Sequence, residues 1–391
     1  WNIAPQRDAT LTPIATSRRG LGLNSELRYL EPRHAGEAEW HWLPFDRVAR
    51  EARHGLRWRQ SGQSLVGVLP DWRWRHEGRR VSDDTFWKDF PRVLGSLTPR
   101  LLSVAAETER DGAWAGLATT AYARVQHWQV LQDADPRSLI AAPYHRVPQL
   151  GWRGAGQPWR EGPDLTFEAE FNRFSLAHNS AGPARLEGDR AHLLASASRT
   201  WRTPGAWLTP RLALNVAHYR TDAAMSDGRL SASRSIPSLS LDGGLVFERA
   251  AQWGSRALVQ TLAQRVLYVN TPYRAQETLP LFDTAAKDFN TTSVFSDNAF
   301  SGIDRVSDAH QVTAGVTTRL LDAASGAEAL RLGVAQRYLL RDQRITPDGV
   351  RLTQRFSDLL LVGSAQLSSK WVFDAGVQFS PEIHRTTRSV L

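Results

Sequence analysis

The sequence predicts an all-β chain, a large antiparallel transmembrane β-barrel of outer-membrane type present in part, and three observations carry that prediction. Apolar and polar residues alternate with period two along nearly all of the 391 residues. The alternating runs are long, about 12–18 residues, where strands of soluble proteins average about 5–6. Short turn-rich connections alternate with longer polar ones, as periplasmic turns and extracellular loops do in such barrels.

Taken in order, the first strand is expected between Pro5 and Pro13, with each proline leaving the backbone ladder one donor short. Ala38, Trp40 and Trp42 then oppose Glu37, Glu39 and His41. Asp83-Asp84, Phe86-Trp87 and Asp89-Phe90 suggest a short amphipathic helix within a loop. Extended runs follow at 113–130, at 165–173, where Leu165, Phe167, Ala169 and Phe171 share a face, and at 206–220 and 256–270. The last three runs are 311–320, 330–340 and 371–379, the last presenting Trp371, Phe373, Ala375, Val377 and Phe379 on one side. Tight turns are expected at Gly20-Leu21-Gly22, Arg110-Asp111-Gly112, Thr203-Pro204-Gly205, Ala324-Ser325-Gly326 and Ser368-Ser369-Lys370. Longer connections are expected near 44–54, 82–97, 178–187, 221–238, 271–308 and 345–354. The pattern amounts to roughly 17 strands, all within one barrel domain spanning 1–391.

Composition is consistent with this architecture. Mean hydropathy is −0.39 and no apolar run reaches the roughly 18–20 residues of a transmembrane helix, but a barrel strand is apolar on one face only and escapes such averages. Many of the 15 tryptophans fall near expected strand ends, among them Trp114, Trp128, Trp152, Trp201, Trp207 and Trp371, where interfacial girdles form. There are no cysteines, which excludes disulfides and thiolate metal sites within this stretch. The net charge of +8 is carried almost wholly by arginine, with lysine only at Lys88, Lys287 and Lys370. The basic residues alternate along strands beside carboxylates instead of gathering on one helix, which argues against nucleic acid. The sequence starts at Trp1 with no initiator methionine or signal peptide, so a longer precursor is expected.

No enzymatic motif is present: there is no H-E-x-x-H, no G-x-S-x-G and no Walker loop. No cofactor or metal is expected. His127, His192 and His218 are read as polar residues facing the barrel lumen. The chain is therefore read as a non-enzyme, with a diffusion porin and a barrel protease or phospholipase as rival readings.

The segment 271–320 is the most informative. It opens with Pro272-Tyr273-Arg274, passes through Phe282-Asp283, Phe295-Ser296-Asp297-Asn298 and Gly302-Ile303-Asp304-Arg305, and ends in a strictly alternating strand. Together with Trp1-Asn2-Ile3-Ala4-Pro5, Asp8-Ala9-Thr10, Thr12-Pro13, Arg18-Arg19-Gly20, Glu26-Leu27-Arg28-Tyr29-Leu30 and Val246-Phe247-Glu248-Arg249, it resembles the LPS-assembly outer-membrane protein family, LptD. Thr261-Leu262-Ala263-Gln264-Arg265 departs from the family's usual Leu-Glu-Pro-Arg. The resemblance implies a lipopolysaccharide translocon in the Gram-negative outer membrane, holding the lipoprotein LptE as a plug. It further implies supply by a periplasmic LptA-type bridge through an N-terminal jelly roll outside this stretch. It also implies a lateral gate where the first strand meets the last, which here maps to Trp1, Asn2, Ile3, Ala4, Pro5, Asp8, Thr10 and Pro13. The apolar content of 271–308 is high for a solvated loop, so that loop is expected to fold inward and meet the plug through Tyr273, Arg274, Phe282, Asp283, Phe295, Asp297, Asp304 and Arg305.

Overall fold

The computed structural model describes residues 1–63, 71–91, 93, 100–177, 183–254, 256–366, 368 and 370–390. Residues 92 and 94–97 of one expected loop, 178–182 of another, and Ser369 of an expected turn lie outside the described residues. Among the described residues there are 22 strands, of which 20 belong to one antiparallel sheet and two form a separate small hairpin. Four strands are only two or three residues long; the remaining 18 compare with the roughly 17 expected from pattern. No helix among the described residues is long and apolar enough to cross a membrane.

The chain divides into two compact units, the first built from Trp1–Ala155, Glu168–His192 and His218–Ala232. It opens with β1 (Asn2–Ala4), β2 (Arg7–Thr16), β3 (Gly20–Glu31), β4 (His34–Asp46), β5 (Glu51–Gln63) and β6 (Arg73–Val81). The four-residue helix α1 (Phe86–Asp89) follows, on the segment expected to be helical. Next come β7 (Leu101–Trp114), β8 (Leu117–Val130) and β9 (His145–Gly156). From β1 to β9 every strand pairs antiparallel with its successor in sequence. Leu11, Leu21, Trp40 and Trp42 lie on the exposed face. Thr12, Asn24 and His41 lie on the other, where the His41 ring nitrogen Nδ1 sits 2.5 Å from the Asn24 Oδ1.

Several expected turns move once register is known. Arg110-Asp111-Gly112 lies inside β7, because Asp111 accepts from the Thr120 hydroxyl (2.9 Å) and pairs with Arg73 (2.7 Å) on either side. The turn falls instead at Ala115-Gly116, whose φ angles of 50° and 79° suit a two-residue hairpin. The expected long connection at 44–54 is a tight turn of residues 47–50, closed by the Asp46 carboxylate, which accepts from the Val48 amide at 2.8 Å. Gly20 and Gly22 belong to β3, and the turn precedes them at 17–19. Gly20 takes a φ of 105°, which a side chain at that position would strain.

Strands β10 (Asp164–Ser175), β11 (Gly188–Ser198), β13 (Ala206–Thr221) and β14 (Ser231–Trp253) contribute residues to both units, as does β9; the three-residue β12 (Trp201–Thr203) belongs to the second unit. Of the three histidines expected on the polar face, His192 is buried beside Glu168 and Glu170. His127 and His218 are exposed, on the row opposite the buried Ala217 and Tyr219 in the case of His218.

The second unit comprises Gly156–Phe167, Leu193–Ala217 and Ser233–Leu391. It contains β15 (Arg256–Thr271), the hairpin β16 (Ala285–Ala286) and β17 (Phe300–Ser301), then β18 (Ala309–Asp322), β19 (Glu328–Leu339), β20 (Leu359–Gln366), β21 (Val372–Ser380) and β22 (Arg385–Val390). β14 pairs with β15, β15 with β18, and each later strand with the next. Val316, Leu332, Val334, Leu361 and Phe373 are exposed, whereas Gln311, Thr313, Ala335 and Leu360 are buried. The expected alternation is thus present, with the apolar row outward. β13 and β15 have 16 residues each and β14 has 23, beyond what an ordinary soluble sheet uses.

Candidate functional site

Three constructions concentrate the unusual chemistry, the first being the strand at the start of the chain. Trp1 precedes β1, and its backbone nitrogen donates to the Ala9 carbonyl (2.8 Å) while the Ala9 amide donates to the Trp1 carbonyl (2.9 Å). Asn2 and Ala4 pair with Asp8 and Arg7, and Ile3 lies exposed between them. Pro5 occupies the turn before β2, where no ladder bond is lost, so the expectation that both prolines weaken a ladder holds for only one of them. Pro13 lies within β2 opposite Leu23. The Leu30 amide donates to the Gln6 carbonyl (2.9 Å), which fixes the parity of the β2–β3 ladder. Hydrogen-bonded and non-hydrogen-bonded pairs alternate in an antiparallel ladder, so the even-numbered residues of β2 bond to β3 and the nitrogens of Arg7, Ala9, Leu11, Pro13 and Ala15 point to the opposite edge. A strand meeting β2 on that edge finds no donor at Pro13. Thr10 and Thr12 share a polar recess of about 220 Å³ with Asn24, Glu26, Glu39 and His41.

The second construction joins the turn 17–19, the turn 47–50 and the loop bearing α1. At its centre the Arg53 side chain is 1% exposed. Its guanidinium donates to both oxygens of Asp83 (2.9 and 2.7 Å), to Asp89 (2.5 Å), to Asp46 (3.4 Å) and to the Thr85 hydroxyl (3.2 Å). Arg19 donates to Asp46 and reaches Asp89, at 2.6 Å each. The rings of Phe86 and Phe90 cover Arg53 at 5.6 and 5.0 Å. Burial works to raise the Asp83 pKa, but hydrogen bonds from Arg53, Ser82 and Thr85 outweigh it and hold that carboxyl below its ordinary range. Nearby, Lys88 pairs with Asp133 at 2.7 Å and lowers its pKa. Sequence reading missed this cluster, since its residues are spread from 19 to 89 without a period.

The polar face of the first unit carries a run of cross-strand ion pairs: Arg28 with Asp8 at 3.0 Å, Arg57 with Glu39, Arg59 with Glu77 at 3.6 Å, and Arg73 with Glu109 at 3.0 Å. It leads to the buried Glu170, which accepts from Tyr122, Gln149 and Asn172. Here a signal was visible in advance, because arginines and carboxylates recur at every second residue.

The third construction is the connection from Thr271 to Ala309, which is ordered by its own hydrogen bonds. Asp304, fully buried, accepts from the amides of Phe282 (2.7 Å) and Asp283 (2.9 Å). Asp283 accepts in turn from the Ile303 amide, and Thr284 from the amides of Asp304 and Arg305. Arg305 donates to the Leu279 carbonyl (2.7 Å). Val294 is fully buried against Ala335 and Leu360 of the wall, with Phe289 and Phe295 beside it. Arg337 donates to the Val294 carbonyl (2.6 Å), and Arg265 covers Phe295 at 4.5 Å. The loop is therefore seated on the polar face of β15, β18, β19 and β20. Phe282, Asp283, Phe295, Asp304 and Arg305 serve this internal architecture. Tyr273 is half-buried, donating to Glu277 (2.9 Å) and lying under Arg344 at 4.8 Å. Arg274 is exposed, and Asp297 pairs with Arg211 at 3.3 Å. No group of three or more metal-ligating side chains occurs among the described residues.

Comparison with known proteins places this geometry. Residues 53–391 match the family model LptD, LPS transport system D. The chain is 40% identical over 401 residues to the LPS-assembly protein LptD of Acidovorax sp. (strain JS42), covering all of this chain and 48% of that protein. It is 41% identical over 399 residues to the protein of that name from Albidiferax ferrireducens, covering 49% of it, and 40% identical over 397 residues to that of Polaromonas sp. (strain JS666 / ATCC BAA-500), covering 47%. The chain thus spans about half the length of the curated relatives it matches. With more than half its residues under the family model and a nearly all-β structure of long alternating strands, the chain belongs to the LptD family and is part of a β-barrel of the bacterial outer membrane.

Proposed function

We propose that this chain is the wall of a translocon that delivers lipopolysaccharide into the outer leaflet, and that both compact units are parts of one barrel domain. The lipid leaves sideways, where the first strands, β1 and β2, meet the strand that closes the barrel in the full-length protein. The observation that carries this reading is the placement of Pro13, which removes a donor from the one edge of β2 that β3 does not use. Each ladder bond contributes roughly 0.5–1.5 kcal/mol net, and inside a bilayer no water replaces a missing donor. A strand meeting that edge is therefore held by one ladder bond fewer at Pro13. The run of paired arginines and carboxylates gives the first unit a hydrated face suited to a phosphorylated saccharide headgroup, while the acyl chains pass on the lipid side. The lipid arrives from an LptA-type bridge. A plug of LptE type meets loop 272–308 at the exposed Arg274 and the half-buried Tyr273 and Asp297, with the buried residues holding the loop in shape. No step requires a catalytic residue or a cofactor.

The test is a disulfide across the seam in the full-length protein. Cysteines in the middle of β2 and on the closing strand, once oxidised, are expected to stop appearance of new lipopolysaccharide at the cell surface, and reduction is expected to restore it. Undiminished delivery at full crosslink occupancy would refute the lateral exit. Photo-crosslinkers at Tyr273 and Arg274 test the plug contact independently; capture of neither LptE nor wall residues would refute it.

A further inference from the structure

We propose that a cavity under the loops of the second unit binds a phosphorylated sugar of the lipopolysaccharide headgroup. The proposal rests on the translocon reading above for the identity of the ligand, and adds a place where the headgroup is held.

The cavity has a volume of about 270 Å³. Its floor is the inward row of the sheet, with Arg337 of β19 and Gln378 of β21. Its walls are two connections, 272–308 between β15 and β18 and 340–358 between β19 and β20. Both leave the same end of the sheet, opposite the short turn 323–327, and long connections mark the extracellular end in barrels of this type. The walls are tied to each other. Asp308 is buried and accepts from the amides of Arg344 (2.9 Å) and Ile345 (2.8 Å), while the Gln343 side chain donates to its carbonyl (2.8 Å). A site with fixed walls binds without first ordering itself.

Two cations line this space, and neither has a carboxylate partner among the described residues. Nη2 of Arg337 donates to the carbonyls of Ser293 (3.2 Å) and Val294 (2.6 Å), and its buried Nε has no partner among those residues. The Lys287 ammonium donates to the Ser296 hydroxyl (2.9 Å) and the Asn298 carbonyl (3.1 Å), which leaves one of its three donors free. The one carboxylate in the lining, Asp358, is occupied by the Gln378 amide (2.7 Å) and the Thr387 hydroxyl (2.9 Å). A partly enclosed pair of cations without a counter-ion favours an anion, and arginine and lysine are the usual partners of phosphate. The rest of the lining suits a sugar ring. Phe289 lies beside Arg337 at 5.8 Å, and Phe356 is held against Tyr338 at 4.9 Å. Their rings offer apolar surface to the C–H face of a sugar. The Gln354 amide lines the same space and supplies a donor and an acceptor for hydroxyls.

The experiment titrates the purified full-length protein with its plug partner by calorimetry. The probe is the headgroup oligosaccharide cut from its acyl chains, with its phosphates or after phosphatase treatment. The phosphorylated form is expected to bind saturably and the stripped form at least tenfold more weakly. Equal affinities, or no saturable binding, overturn the proposal. Lys287→Gln is expected to weaken the phosphorylated form roughly three- to tenfold. Ser296→Ala removes a loop partner of Lys287 and keeps its charge, so it is expected to change binding less than twofold. Equal losses in the two variants make Lys287 a loop brace and overturn its role as an anion ligand. Glucose 6-phosphate and a photo-crosslinker at Leu352 in cells separate a free sugar phosphate from a lipid-linked one. Capture of lipopolysaccharide at Leu352 supports the headgroup assignment. Tight binding of glucose 6-phosphate with no such capture overturns it. The seam disulfide tests the lateral exit separately, so an empty cavity leaves that exit standing, and a failed exit leaves the binding result intact.

Discussion

At the residue scale the most consequential side chain is Arg53, a buried cation held by three carboxylates, the Thr85 hydroxyl and two aromatic rings. Removing one member of a buried ion cluster typically costs about 3–5 kcal/mol, because the charges left behind lose both partner and water. Arg53→Met is therefore expected to weaken the amide protection of Val48, Ala49 and Arg50, which are organised around Asp46, in hydrogen exchange of the full-length protein. Unchanged protection there would show that Asp46 is held without Arg53. The Lys88–Asp133 pair makes a separate prediction about pH. Its carboxyl is depressed in the folded protein, so the contribution of this pair is fully present above the unfolded value of about 3.9 and fades as pH falls through the lower folded value. Proteolysis of loop 131–144 by an acid-active protease is expected to stay constant from neutral pH down to about 5 and to rise in stronger acid. Asp133→Asn is expected to give the faster rate at all pH values. An acid response that survives in the Asn variant would locate the titrating group elsewhere.

At the scale of the strand, the sequence was most readable where alternation is strict. In β21, Phe373 and Val377 lie on the outward row, opposite Ala365 and Leu361 of β20, while Gly376 belongs to the other row. Arginine at Phe373 or Val377 is expected to block membrane assembly, since it costs about 2–4 kcal/mol at the bilayer midplane. A Cβ at Gly376 would meet nothing within 4 Å, so arginine there is expected to assemble. Heat-modifiable mobility in gels reads out both, and equal behaviour of the two rows would refute the assigned faces. Pattern failed where local propensity and register disagree. Arg110-Asp111-Gly112 has turn chemistry, but cross-strand partners at Arg73 and Thr120 keep it extended. Pro13 shows a subtler limit. Its presence was evident, but which neighbour it deprives depends on ladder parity, which a sequence does not display. Pro13→Val should accordingly slow lipopolysaccharide delivery by restoring an edge donor, by up to about tenfold if one ladder bond of 0.5–1.5 kcal/mol is gained. Pro5→Val should not. Identical effects of the two would contradict the parity assignment. The Arg53 cluster was illegible for a related reason, being assembled from a turn, a strand and a helix that no periodicity links.

At the scale of the molecule, nearly every contact that defines the sheet is between strands adjacent in sequence, with loop 272–308 and its small hairpin as an insertion between β15 and β18. This locality explains why fold class was evident from patterning: each strand needs only its neighbours to set register, and each apolar row needs only the membrane. It also constrains how such a chain can change length over evolutionary time. Because direction reverses with every strand, losing one strand would invert the sense of all that follow, sending long loops to the turn side. Losing two neighbours preserves it. Heritable gains and losses in this wall are thus quantised in hairpins or confined to loops. Excising β18 together with β19 from the full-length gene is expected to give some membrane-inserted product, whereas excising β19 alone is expected to give none.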